Sequence, residues 1–245
     1  VLLAVVVTTW LDRMSTTSWD KTLWVGIFPI NGDGSDVAAK YVSRLTVDEF
    51  TAIEDFFTEE TSRYGVRVTR PVRIGLYPAS EQKPPALAPG SNFLQTALWS
   101  LKMRWFARSA ANVPGRAPSQ IRIFVLYHDP AVNPSVPHSL GMQKGLVGVV
   151  HAFADKRMAG SNNIVIAHET LHTVGATDKY DLASGVPVFP AGYAEPDRSP
   201  RYPQRFAEIM AGQRSLSATE QEMPESLKDE RVGSLTAMEI GWTRH

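Results

Sequence analysis

Two histidines four residues apart, His168 and His172, enclose a glutamate in the stretch "HETLHTVGATD" that runs from His168 to Asp178. Those residue types at that spacing point to a bound cation, the alternative being a polar helix with incidental histidines. On an α-helix, positions four apart lie about 40° apart in azimuth and about 6 Å apart along the axis, so both imidazoles project toward one point and can share an ion. Glu169 sits about 100° round from His168, too far for a natural third ligand but able to reach a water held on that ion. It is the candidate general base. Were the helix to continue, Asp178 would lie about 15 Å beyond His168 and off its face, so sharing the ion requires the chain to turn back. Gly175, three residues past His172 and three before Asp178, can take the left-handed conformation that ends a helix.

Such a motif needs a packed scaffold. At 245 residues, 43% hydrophobic and 20% charged, the chain is in the range of one large domain with a full core. "LVGVVHAF" (146–153) reads as a strand leading toward the motif, and "IRIFVLYH" (121–128), a near-continuous apolar run, as a central strand. "TLWVGIFPI" (22–30) is a further strand, and 66–77 an extended segment that Pro71 consigns to an edge or a bulge. Residues 46–64 predict a helix opened by a Thr46–Glu49 capping box and a Leu45–Phe50 staple, with Phe50, Ile53, Phe57 and Tyr64 inward and Gly65 at its end. Residues 92–110 predict a second, with Phe93, Ala97, Leu98, Leu101 and Trp105 along one face and Lys102, Arg104 and Arg108 solvated. The Pro- and Gly-rich 129–145 reads as a surface loop. "NGDGSD" (31–36) is a turn without the lysine of a phosphate loop or the ligand spacing of a calcium hand. Ser217 with Glu220, and Ser234 before "LTAMEIG", predict helices that close the domain.

Composition removes several function classes. Twenty-five basic and twenty-five acidic side chains balance, so net charge offers no argument for a nucleic-acid partner. The chain contains no cysteine, so any metal must be held by His, Asp or Glu. Residues 1–14 open on seven apolar residues, Val1 to Val7. They read either as the end of a membrane anchor or signal segment, which would place the domain (15–245) outside the cytoplasm at the cell envelope, or as a buried first strand.

"HETLHTVGATD" resembles the extended zinc signature of the metzincin metallopeptidases, in the variant where aspartate replaces the last histidine, as in the snapalysin-like enzymes. The resemblance covers roughly residues 146–212. It implies an α+β, zincin-like domain with a mixed twisted sheet, an active-site helix and a C-terminal helical subdomain. It further implies one catalytic Zn2+ on His168, His172 and Asp178, Glu169 as catalytic base, and a methionine turn at Met210 in "EIMAG". Where some metzincins carry a tyrosine two residues after that methionine, this chain has Gly212, which leaves Tyr180, Tyr193 and Tyr202 as candidate oxyanion or substrate contacts. Glu195 is a rival third ligand by analogy with thermolysin-like enzymes, but Pro196 directly after it is a poor helix context. His128, His138, His151 and His245 are expected to be structural or solvent-exposed. Because zincins add extended substrate to an edge strand before the active helix, "GLVGVVHAF" (145–153) is the expected edge.

The implied activity is zinc-dependent hydrolysis of peptide bonds in a peptide or protein substrate, with residues 179–209 walling the cleft. Two alternatives stay open: a non-catalytic zinc-containing envelope binding protein, and an amide hydrolase acting on a non-protein substrate.

Overall fold

The computed structural model describes residues 16–87, 90, 92–143 and 145–243, so the predicted anchor at 1–14 and His245 lie outside the described residues. Strand β1 (Leu23–Asn31) leads through helix α1 (Asp36–Val42), a 3-10 turn (Val47–Phe50) and helix α2 (Thr51–Arg63) to β2 (Val72–Leu76). Helix α3 (Phe93–Ala110) then leads to β3 (Ile121–His128), β4 (Leu140–Met142) and β5 (Val147–Phe153). Helix α4 (Ala159–Thr173) follows β5, and beyond it come the two-residue strands β6 (Ala207–Glu208), β7 (Arg214–Ser215), β8 (Gln221–Glu222) and β9 (Glu230–Arg231), then helix α5 (Ser234–Glu239).

The result is an α+β fold around a five-stranded mixed sheet in the order β2-β1-β3-β5-β4, with only β4 antiparallel to its neighbour. The crossover from β1 to β2 steps one way across the sheet and that from β2 to β3 steps back over β1. Right-handed crossovers in opposite directions put their helices on opposite faces. Accordingly Ile53, Phe56 and Phe57 of α2 share a core with Ile164, Ile166 and Leu171 of α4, while Met103, Phe106 and Ala107 of α3 pack with Phe28, Phe124 and Leu126 on the other side. Strand β3 is central and alternates accordingly, Ile123, Val125 and Tyr127 facing the first core and Phe124 and Leu126 the second.

Strands β1, β2, β3 and β5 lie where the sequence predicts, with β2, after Pro71, on an edge. Other expectations are corrected. The Thr46 side chain makes no cap hydrogen bond; a 3-10 turn precedes α2 instead, though Phe50, Ile53 and Phe57 are buried and Gly65 takes φ +69°. The β5 segment is an internal strand, because β4, inside the expected loop, covers it and forms the edge. Helix α1 was not legible, since its cap is the Ser35 hydroxyl, accepting from the Ala38 N–H, within the apparent turn.

Helix α3 has a capping box between Asn92 and Gln95, but the apolar face read from the sequence does not meet the core: Phe93, Leu98, Leu101 and Trp105 are exposed. The helix bears two apolar stripes, and periodicity alone does not say which one meets the sheet. Toward the C-terminus, the Ser217 hydroxyl accepts from the Thr219 and Glu220 N–H groups and makes the turn between β7 and β8. Among the described residues only a three-residue 3-10 turn (Leu227–Asp229) and the six-residue α5, entered from Gly233, are helical there, so the chain closes with short ladders rather than a helical subdomain. No helix among the described residues is long and apolar enough to cross a membrane.

Candidate metal centre

Helix α4 is anchored at both ends. Near its start the Asn162 amide clasps the Phe153 backbone, accepting from its N–H at 3.0 Å and donating to its carbonyl at 2.9 Å, and the Asn163 amide donates to the Glu49 carbonyl at 2.8 Å. Ile166, Ala167 and Leu171 are buried along its core side. The helix stops at Gly175, whose φ of +112° is a conformation that residues with a side chain rarely adopt. The chain then reverses, and the Lys179 N–H donates to the Met210 carbonyl at 2.9 Å. This reversal brings Asp178 back over the helix.

His168 Nε2 lies 3.3 Å and His172 Nε2 3.2 Å from the same oxygen, Asp178 Oδ1. Ligand atoms of these three residues all lie within 4.8 Å of one another, and they are the group found among the described residues that could hold a metal. The other imidazole nitrogens are committed: His168 Nδ1 donates to the Ile209 carbonyl at 2.9 Å, and His172 Nδ1 to the Ala176 carbonyl at 2.8 Å. Carbonyls only accept, so a proton sits on each Nδ1, and both Nε2 atoms face the same carboxylate oxygen. Asp178 Oδ1 is buried without a hydrogen-bond partner. Three electron-pair donors converging on one space require a cation or a proton between them.

The electrostatics follow. Burial works against the Asp178 carboxylate, but His168 and His172 outweigh it and hold its pKa well below the usual range. Burial likewise opposes the His172 imidazolium, and the carboxylates of Asp178 and Glu169 reverse that and raise its pKa. Glu169 behaves differently, since burial raises its pKa despite the two histidines and the Gly141 N–H that favour its ionised form. Its Oε2 is buried and lacks a partner.

Met210 is fully buried in a turn where the Ala211 N–H donates to the Glu208 carbonyl at 2.8 Å, next to the Ile209 carbonyl that holds His168. The turn is fixed from below by the buried Glu208 carboxylate, which accepts from the Met210 and Gly233 N–H groups and the Thr236 hydroxyl. Of the three candidate tyrosines, Tyr180 is the one whose phenol is at the cluster; burial and then the Asp178 and Glu169 charges raise its pKa. Tyr193 and Tyr202 instead pair through their hydroxyls at 3.0 Å, with Phe189 edge-on to Tyr193. Glu195 is committed elsewhere, accepting from the Arg205 backbone at 2.9 Å and from its guanidinium. His128 and His151 are 3.0 Å apart, and burial lowers both, His151 to about 4.

Two positions with a part in this geometry have no signal in the motif. Gly141 of β4 lies so close to α4 that a Cβ there would fall 2.5 Å from the Glu169 carbonyl oxygen and 2.5 Å from His172 Cβ. Glu239, at the end of α5, accepts from the Thr177 N–H at 2.9 Å, the Thr177 hydroxyl at 2.7 Å and Lys179 Nζ at 2.8 Å, gripping both neighbours of Asp178. Neither is identifiable without the long-range contacts.

Compared with protein-family models and with curated proteins, the chain matches none.

Proposed function

We propose that this chain is a zinc-dependent metallopeptidase with a zincin-like, metzincin-type catalytic domain. The observation that carries the proposal is the convergence of His168 Nε2, His172 Nε2 and the partnerless Asp178 Oδ1, beside a buried glutamate. Two imidazoles and one carboxylate suit zinc, and three protein ligands leave a position open for water. Zinc in that position would supply Lewis-acid activation of the water and of the substrate carbonyl.

The chain's own residues account for the remainder. Glu169, with its pKa raised by burial and a free Oε2, accepts the proton of the attacking water and passes it to the leaving amine. Tyr180 stands beside the cluster as a donor to the developing oxyanion. The Ile209 and Ala176 carbonyls set the tautomer of both histidines and so aim their Nε2 atoms. An extended peptide adds along the free edge of β4, and residues 179–209 wall the cleft. A purely structural zinc site would have no use for Glu169 in this position, which favours an enzyme over a binding protein.

The test is hydrolysis of a quenched peptide library by wild type and Glu169→Ala, with metal content measured on both. Loss of about 10²–10⁴-fold in rate with metal retained is expected. Undiminished activity in the variant would remove the proposed base.

A further inference from the structure

Helix α3 carries its second apolar stripe into solvent. Leu94, Leu98, Leu101 and Trp105, spaced four, three and four residues apart, are 65%, 51%, 55% and 75% exposed, and Phe93 at the helix start is 88% exposed. At about 100° per residue this stripe lies opposite Met103, Phe106 and Ala107, which seat the helix on the sheet. Lys102 borders it on one side and Arg104 and Arg108 on the other.

Charge is segregated in the same stretch of sequence. Although the chain is neutral overall, residues 82–128 contain no Asp or Glu and carry Lys83, Lys102, Arg104, Arg108, Arg116 and Arg122. An exposed stripe of Leu, Phe and Trp bordered by Lys and Arg with no acid is the make-up of a helix that lies in a bilayer interface.

We propose that α3 docks this domain on a membrane surface bearing anionic phospholipid, with Leu94, Leu98, Leu101 and Trp105 in the acyl boundary and Lys102 and Arg108 against the headgroups. A second copy is a poorer occupant. Two helices joined along this stripe would bring Lys102 and Arg108 of each close to those of the other, with no acidic residue on α3 to offset them. Because α3 and α4 pack on opposite faces of the sheet, docking leaves the α4 face uncovered.

The chain has no cysteine, so Leu101→Cys in the full chain accepts one environment-sensitive dye at the proposed contact. Vesicles of phosphatidylcholine with about a third phosphatidylserine should shift its emission to the blue, and high salt should reverse the shift. Phosphatidylcholine alone should give a weak response, and Lys102→Glu with Arg108→Glu should lower partitioning by at least about tenfold. A dye that stays silent while the chain floats with vesicles overturns the proposal, because the contact then lies elsewhere. So does a response to protein concentration without lipid, or to an acidic amphipathic peptide but not to vesicles. An equal response to uncharged vesicles overturns the role of the basic border. The same label at Leu98→Cys guards against a local effect of one substitution.

Discussion

Replacing Glu239 with alanine tests whether Asp178 is held in place from α5. Lys179 Nζ has three acceptors, Glu239 Oε2 at 2.8 Å, the Thr177 carbonyl at 2.6 Å and the Thr177 hydroxyl at 2.8 Å, and its side chain is 3% exposed. Removing one partner of a buried pair costs about 3–5 kcal/mol, since the remaining charge is left uncompensated. Glu239 itself is 21% exposed, so water can enter the vacated space and the cost falls to about 2–3 kcal/mol. The Thr177 N–H loses its acceptor in the same step. Because Thr177 and Lys179 flank Asp178, relaxation there spoils the alignment of the carboxylate with the two imidazoles. Loss of a residue that orients a ligand lowers metal affinity by about 10–100-fold. Urea unfolding of the metal-free protein reads the first quantity, and competition for zinc against a chelator reads the second. Glu239→Gln, which keeps an acceptor, should fall between. A Glu239→Ala variant with stability within about 0.5 kcal/mol of wild type and unchanged zinc affinity would refute the clamp.

The remaining predictions concern the edge strand and a buried carboxyl. Gly141→Ala puts a methyl 2.5 Å from the Glu169 carbonyl oxygen, so it should cost about 2–3 kcal/mol in urea unfolding and reduce hydrolysis as β4 shifts from α4; wild-type stability and rate would show that the close approach is dispensable. Glu230 is fully buried with both oxygens unpartnered, and burial followed by Glu208 and Asp229 raises its pKa to about 8. From its unfolded value of about 4.3 up to that point the folded state keeps a proton that the unfolded state has released, so this group makes stability fall as pH rises. His151, depressed to about 4, has the opposite sign but acts only below about 6.5. Between about pH 6.5 and 8 Glu230 should therefore cost about 2 kcal/mol, and Glu230→Gln should flatten that slope; a wild-type-to-variant difference independent of pH over this window would contradict it.

The convergence of His168, His172 and Asp178 was legible because its parts are local: a helical repeat fixes the two histidines, and a glycine three residues on marks the reversal toward Asp178. The strands were legible for a related reason, since β1, β3 and β5 are apolar runs of strand length. What failed depends on contacts distant in sequence. In α3, Leu98, Leu101 and Trp105 have the helical period, yet Met103, Phe106 and Ala107 have it too, and only the sheet face decides which of the two stripes is buried. Strand β4 is three residues in a Pro- and Gly-rich stretch, recognisable only through its pairing with β5. Ser217 offers its hydroxyl to two nearby N–H groups equally well in a hairpin turn or a helix start. Tyr180, two residues past Asp178, separates from Tyr193 and Tyr202 only once the chain has turned back at Gly175.

The proposed zinc centre is tested most directly by metal content per chain, measured by elemental mass spectrometry on wild type, His172→Ala and Glu195→Ala. About one zinc in wild type and in Glu195→Ala, with little in His172→Ala, is the predicted result. No zinc in wild type after incubation with the metal, or loss of it in Glu195→Ala with retention in His172→Ala, would contradict the centre formed by His168, His172 and Asp178.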